Sequence, residues 1–132
     1  MGMTKQRAAV LNAVNSCKDH PTADTIFHLT RQAMPNVGLG TVYRNLNILC
    51  DEGKVLRVRT PGGADHFDFN TARHDHFYCT CCGNVFDIDL PEVESATLAA
   101  ARENGLLVTG YHLIAEGLCQ KCVERRTEAA VE

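Results

Sequence analysis

The 132-residue sequence has no apolar stretch long enough to cross a bilayer, and no charged leader followed by an apolar run opens it. Neither secretion nor membrane insertion is expected, and the chain reads as cytoplasmic. An even set of cysteines is missing too. There are seven, two pairs of them spaced Cys-x-x-Cys, which in a reducing compartment favours metal thiolates over a disulfide framework. The marks of catalysis are absent: no His-x-Glu precedes a Pro-Cys-x-x-Cys, and no nucleophile–base pair is evident. The chain is therefore not expected to be an enzyme. A metalloenzyme, with a vacant position on an N/O-ligated metal, is the competing reading from another class.

Net positive charge is lacking as well, since the total is −3. Divided along the chain, the balance changes. Residues 1–60 hold eight Lys/Arg against four Asp/Glu, a net +4, whereas residues 61–132 hold five against twelve, a net −7. A basic front half suits phosphates, and an acidic rear half bearing His and Cys suits cations.

In the front half, Thr4 is a helix N-cap and Ala8, Leu11 and Val14 recur at helical spacing, which predicts a first helix over about residues 4–18. Thr22 caps a second helix carrying Asp24 in its first turn and Ile26, Leu29 and Ala33 on its apolar side. A third runs from Thr41 to Glu52 and stops at Gly53, with Val42, Leu46 and Leu49 inward and Tyr43, Arg44 and Asn47 outward. Alternating Val55–Arg59 and Phe67–Phe69 around Pro61-Gly62-Gly63 then make a ribbon. The pattern is a winged helix-turn-helix. In that arrangement the third helix enters the major groove of double-stranded DNA. Thr41 lies at its start, Arg44 and Asn47 reach base edges or phosphates, and Tyr43 offers a ring to a thymine methyl. Lys5, Arg7, Lys54, Arg57 and Arg59 would hold backbone phosphates.

In the rear half, His74-Asp75-His76-Phe77-Tyr78-Cys79-Thr80-Cys81-Cys82-Gly83 and Cys119-Gln120-Lys121-Cys122 are the ligand inventory of a metalloprotein. Between them, Val85–Asp89 alternates as a strand, Pro91 opens a helix to about Asn104, and Leu106–Thr109 begins a strand towards Ile114. A closed shell of Cys79, Cys82, Cys119 and Cys122 around one structural Zn(II) would staple the ends of this unit. Cys81 could replace Cys82 in the first pair. Cys17 and Cys50, on apolar helix faces, are read as small hydrophobes. His74 and His76, two apart, share a face if the backbone is extended, and with Asp68 and Asp87 they would form a harder N/O site suited to Fe(II), Mn(II) or Zn(II). His20, before a proline, reads as a turn residue, and His66 and His112 as surface or satisfied core histidines.

Taken together, Thr4-Lys5-Gln6-Arg7, His20-Pro21-Thr22-Ala23, Gly40-Thr41-Val42-Tyr43-Arg44-Asn45-Leu46, Phe67-Asp68, the His74-x-His76 run into Cys-x-x-Cys-Gly and the final Cys-x-x-Cys resemble the Fur family of metal-dependent transcriptional repressors. The likeness spans nearly the whole chain, and is strongest to the family's peroxide-sensing branch because Asp68 and Asp87 stand where iron sensors usually carry Glu. The resemblance implies an α+β chain: a winged-helix DNA-binding domain over residues 1–72, then a small α/β dimerisation and metal domain over 73–132. It implies a homodimer on a palindromic operator, and it gives His20, Asp68, His74, His76 and Asp87 to one regulatory Fe(II) or Mn(II) site, which replaces the turn reading of His20. It also implies that His20 or His74 is oxidised by hydrogen peroxide when Fe(II) is bound. A repressor responding to iron or zinc alone would use the same residues without oxidation of His20 or His74, and a thiol switch would act instead through Cys81 or a zinc thiolate. A further metal site of some relatives is not expected here, because Arg73 and Tyr111 stand at its histidine positions.

Overall fold

The computed structural model describes residues 3–71 and 75–131. The chain divides into two compact units, residues 1–72 and 73–132. In the first, helix α1 (Lys5–Asn15) starts where the Thr4 side chain accepts the Arg7 N–H at 3.0 Å, and α2 (Ala23–Ala33) starts where Thr22 accepts the Thr25 N–H at 3.3 Å. Helix α3 (Leu39–Asp51) follows, then an antiparallel ribbon of β1 (Leu56–Arg59) and β2 (Asp65–Asp68) with Leu56 opposite Asp68 and Arg59 opposite Asp65. The expected α+β architecture with an N-terminal winged helix-turn-helix is present.

Two helix boundaries differ from expectation. Helix α1 ends at Asn15, where Ser16 Oγ turns back to donate to the Ala13 carbonyl at 2.7 Å, an alternative partner that small polar side chains offer a helix end. Helix α3 begins two residues early because Gly38 takes the extended cap conformation, which leaves Leu39 and Gly40 in its first turn. Its other end is as the sequence suggests: Gly53 has φ +74°, and the Lys54 N–H closes on the Leu49 carbonyl at 2.9 Å, a left-handed glycine stop.

The core of this unit is one cluster of Val10, Val14, Ile26, Val42, Leu46, Leu49, Val55 and Phe67, so the three helices and the ribbon share a single apolar interior. Leu46, fully buried, fills its centre. Leu46→Ala is expected to cost about 2–5 kcal/mol, lost contacts and residual cavity together. Urea unfolding should show this as a lower midpoint with an unchanged slope.

The second unit holds β3 (Asp75–Cys79), β4 (Val85–Ile88), α4 (Pro91–Glu103), β5 (Ile114–Gly117) and α5 (Gln120–Val131). Its sheet runs β4-β3-β5, antiparallel between β3 and β4 and parallel between β3 and β5. The strand expected from Leu106 is displaced: residues 106–113 are irregular and the strand occupies only Ile114–Gly117. The cause is pairing, because β3 meets this segment only from His76 opposite Ile114, while Leu106 and Leu107 lie 65% and 88% exposed. Helix α4 buries none of its residues, and Val93 and Leu98 on it are exposed. Among the described residues no helix is long and apolar enough to cross a membrane.

Candidate metal centres and nucleic-acid face

The sheet brings the two Cys-x-x-Cys pairs together. Cys79 ends β3, and a turn through Gly83 (φ +78°) folds the chain back so that the Gly83 N–H meets the Cys79 carbonyl at 2.9 Å and Cys82 faces Cys79. Parallel β5 sets Gly117 opposite Cys79, which lands Cys119 beside it and Cys122 in the first turn of α5. The four sulfurs of Cys79, Cys82, Cys119 and Cys122 lie within 4.8 Å of one another, and Cys82 Sγ to Cys119 Sγ is 3.8 Å. A tetrahedral zinc with bonds of about 2.3 Å demands sulfur separations of about 3.8 Å, so the group fits that ion. Cys82, rather than Cys81, completes the group.

The N–H groups of Cys82 and Cys119 both donate to Cys79 Sγ at 3.4 Å and hold its thiol pKa down at about 6, which favours the thiolate that a metal requires. Burial pushes the Cys122 thiol upward. Cys17 and Cys50 are half-buried, with thiols raised mainly by burial, as expected of small apolar fillers.

Each unit also carries a histidine–carboxylate pair with a buried imidazole, apart from the exposed His28–Asp24 pair along α2 of the first. In the first, His20 Nε2 lies 3.0 Å from Asp68 Oδ2, both side chains about 95% buried, while Asp68 Oδ1 accepts the Asn70 N–H at 2.9 Å. His20 is no mere turn residue. Strand β2 grips its segment, since the Phe67 N–H donates to the Pro21 carbonyl at 2.8 Å and the His66 ring meets the His20 carbonyl at 2.7 Å through Nδ1. A carbonyl only accepts, so His66 carries its proton on Nδ1. Sequence reasoning left His66 without a task. It fixes the backbone that presents His20, and only its position two residues before Asp68 hinted at this.

In the second unit His76 on β3 stands directly opposite Asp87 on β4, which puts both side chains on one face with Nε2 3.6 Å from Oδ1. His76 is buried and Asp87 about half exposed. His74 lies outside the described residues. His112 is exposed. Imidazole nitrogen with carboxylate oxygen is the donor chemistry that suits Fe(II), Mn(II) or Zn(II), and both pairs supply it.

On α3, Tyr43, Arg44 and Asn47 are exposed and Thr41 is half-buried, and Lys5, Lys54 and Arg59 are exposed elsewhere on the same unit. Two arginines expected to hold phosphates have partners inside the protein. Arg7 Nε donates to Asn45 Oδ1 at 3.2 Å, joining α1 to α3, and Asn45 in turn donates to the Thr41 carbonyl at 2.9 Å. The half-buried Arg57 donates to Asn47 Oδ1 and faces Asp65.

Residues 1–116 match the model of the Ferric uptake regulator family. The chain belongs to this family. As a ferric uptake regulator family member it is a metal-responsive transcriptional regulator and not an enzyme. It is 32% identical over 122 residues to the peroxide-responsive repressor PerR of Staphylococcus epidermidis, covering 92% of this chain and 81% of the relative. Its fold is that of the Helicobacter pylori ferric uptake regulator Fur, with a TM-score of 0.84 at 23% identity over 93% of this chain and 83% of that one. A zinc uptake regulator solved with zinc and DNA matches with a TM-score of 0.70 at 28% identity, over 96% and 87% of the two chains. Structures in the ferric uptake regulator family hold zinc, iron or manganese, and the four-cysteine group here fits zinc.

Proposed function

We propose that this chain is a cytoplasmic, metal-dependent repressor that binds a palindromic DNA operator as a homodimer and senses hydrogen peroxide. The observation that carries the metal dependence is the pair of histidine–carboxylate couples, His20–Asp68 in the winged-helix unit and His76–Asp87 in the other. Support for DNA binding comes from the exposed Tyr43, Arg44 and Asn47 on α3 and the basic Lys5 and Arg59. A homodimer is supported by helix α4, none of whose residues is fully buried within its own chain and on which Val93 and Leu98 are exposed.

In this reading Cys79, Cys82, Cys119 and Cys122 hold structural Zn(II), and His20, Asp68, His74, His76 and Asp87 together hold the regulatory ion. Side chains from both units then ligate in one relative arrangement only, a differential interaction that favours the DNA-competent conformer. Bound Fe(II) would supply the redox chemistry that turns peroxide on a neighbouring ligand ring, which Mn(II) would not. His20 or His74 is the ring attacked: one peroxide oxygen enters the imidazole and water leaves. The altered ring is a poorer donor, so ligation and repression are lost together.

The test is peptide mass spectrometry on zinc-containing protein loaded with Fe(II) or Mn(II) and exposed to a slight excess of hydrogen peroxide. One added oxygen on His20 or His74 in the iron form only, with loss of DNA binding, is expected. Unmodified histidines, with DNA binding that simply follows metal concentration, would make this an iron- or zinc-responsive repressor. Oxidation confined to Cys81 or the zinc thiolates would make it a thiol switch.

A further inference from the structure

The guanidinium of Arg57 meets partners on α3 and β2. From β1 its Nη2 donates to Asn47 Oδ1 on α3, its Nη1 lies 3.6 Å from Asp65 Oδ2 on β2, and its carbon stands 5.5 Å from the centroid of the Phe67 ring, the residue opposite it in the ribbon. The side chain is 24% exposed. An arginine that holds a phosphate needs its fork directed outward, whereas this fork ties the wing to the third helix.

The consequence falls on Asn47. A guanidinium only donates, so the carboxamide atom it meets is the oxygen, and the amide's NH2 edge is what remains to face outward. An asparagine that reads adenine uses both edges, its oxygen accepting from N6 and its nitrogen donating to N7. Here Arg57 takes one of that oxygen's two lone pairs and holds the oxygen towards the ribbon.

We propose that Arg57 is a positioning residue that restricts Asn47 to a single donated hydrogen bond in the major groove. Asn47 then accepts either purine through N7, or thymine through O4, and rejects cytosine, which shows a donor there. It does not separate adenine from guanine. The inference rests on the DNA-binding reading above and adds the base chemistry that one position of the operator must have.

The test is selection of bound sequences from a random duplex pool by the full chain loaded with zinc and Mn(II), for wild type, Arg57→Met, Asn47→Ala, the double variant and Arg59→Met. Methionine keeps the stem over Phe67 and removes the fork. At one position per half-site the wild type should enrich adenine, guanine and thymine over cytosine, without separating adenine from guanine. Arg57→Met should gain about a tenfold preference for adenine there, the discrimination typical of a two-point contact. Asn47→Ala, an exposed and easily tolerated change, should lose the rejection of cytosine at that same position, and Arg57→Met should add nothing in its background. Arg59→Met should weaken all sequences alike and reduce the salt slope by about 0.9.

If Arg57→Met instead behaves like Arg59→Met, with base preferences intact, Arg57 is a phosphate ligand and the proposal is wrong. It is equally wrong if Asn47→Ala leaves every base preference unchanged, or if the wild type strongly prefers adenine where Asn47→Ala relaxes selection. A wild type that enriches no sequence overturns the DNA-binding reading itself, a result distinct from these.

Discussion

Removing zinc from the four-cysteine group is expected to unfold residues 73–132 and leave the winged-helix unit standing. The two units differ in what holds them. Among the described residues, the first buries Val10, Val14, Ile26, Val42, Leu46, Leu49 and Phe67, whereas the apolar residues buried in the second are Cys79, Val85 and Cys122. Two of those three are proposed ligands. With no side chain of α4 buried, apolar burial within the chain cannot offset the entropy of ordering some sixty residues, which is roughly 1–2 kcal/mol per residue for the backbone alone. Zinc binding to four thiolates contributes an apparent 10–16 kcal/mol, about the size of a whole domain's net stability.

Cys119→Ser, or chelation at neutral pH, should therefore abolish the protected amides of β3, β4 and β5 in hydrogen exchange while those of α1, α2 and α3 persist. Cys81→Ser should change neither, because Cys81 is outside the sulfur group. An unchanged exchange pattern after complete zinc loss would show that the sheet stands on its own packing.

The local features of the winged-helix unit were legible in the sequence. Thr4 and Thr22 cap their helices, Gly53 ends the third, and Val42, Leu46 and Leu49 are buried while Tyr43, Arg44 and Asn47 are not. Ligand spacing foretold the sulfur group, and family resemblance rather than spacing singled out His20. What escaped depends on contacts between distant residues. Leu106–Thr109 has the pattern of a strand, yet a strand exists only where β3 offers a partner, at Ile114–Gly117. Arg7 and Arg57 look like phosphate ligands to any count of charge. Only the packing of α1 on α3 and the reach of the Arg57 side chain from β1 to α3 show them engaged with Asn45 and Asn47.

The second large effect concerns the regulatory site. Asp68→Asn and Asp87→Asn should each remove the metal-dependent part of DNA binding while zinc content stays intact. Asparagine keeps the volume of the carboxylate and, at position 68, an acceptor for the Asn70 N–H, so the fold is spared and the ligand charge is lost. Replacing even the residue behind a ligand commonly costs about 10–100-fold in metal affinity, and loss of a ligand itself should cost at least as much. Asp87 is half exposed, so a purely structural role would make Asp87→Asn nearly silent, unlike the same change at buried Asp68. Equal losses at both positions would mark the two carboxylates as partners in one site.

The most direct measurement is the stoichiometry of Mn(II) binding to the zinc-containing protein, followed by paramagnetic resonance in wild type, Asp68→Asn and Asp87→Asn. One Mn(II) per chain, lost in each variant, is the result expected if His20, Asp68, His74, His76 and Asp87 share an ion across the two units. Two Mn(II) per chain, or one that survives either substitution, would contradict it.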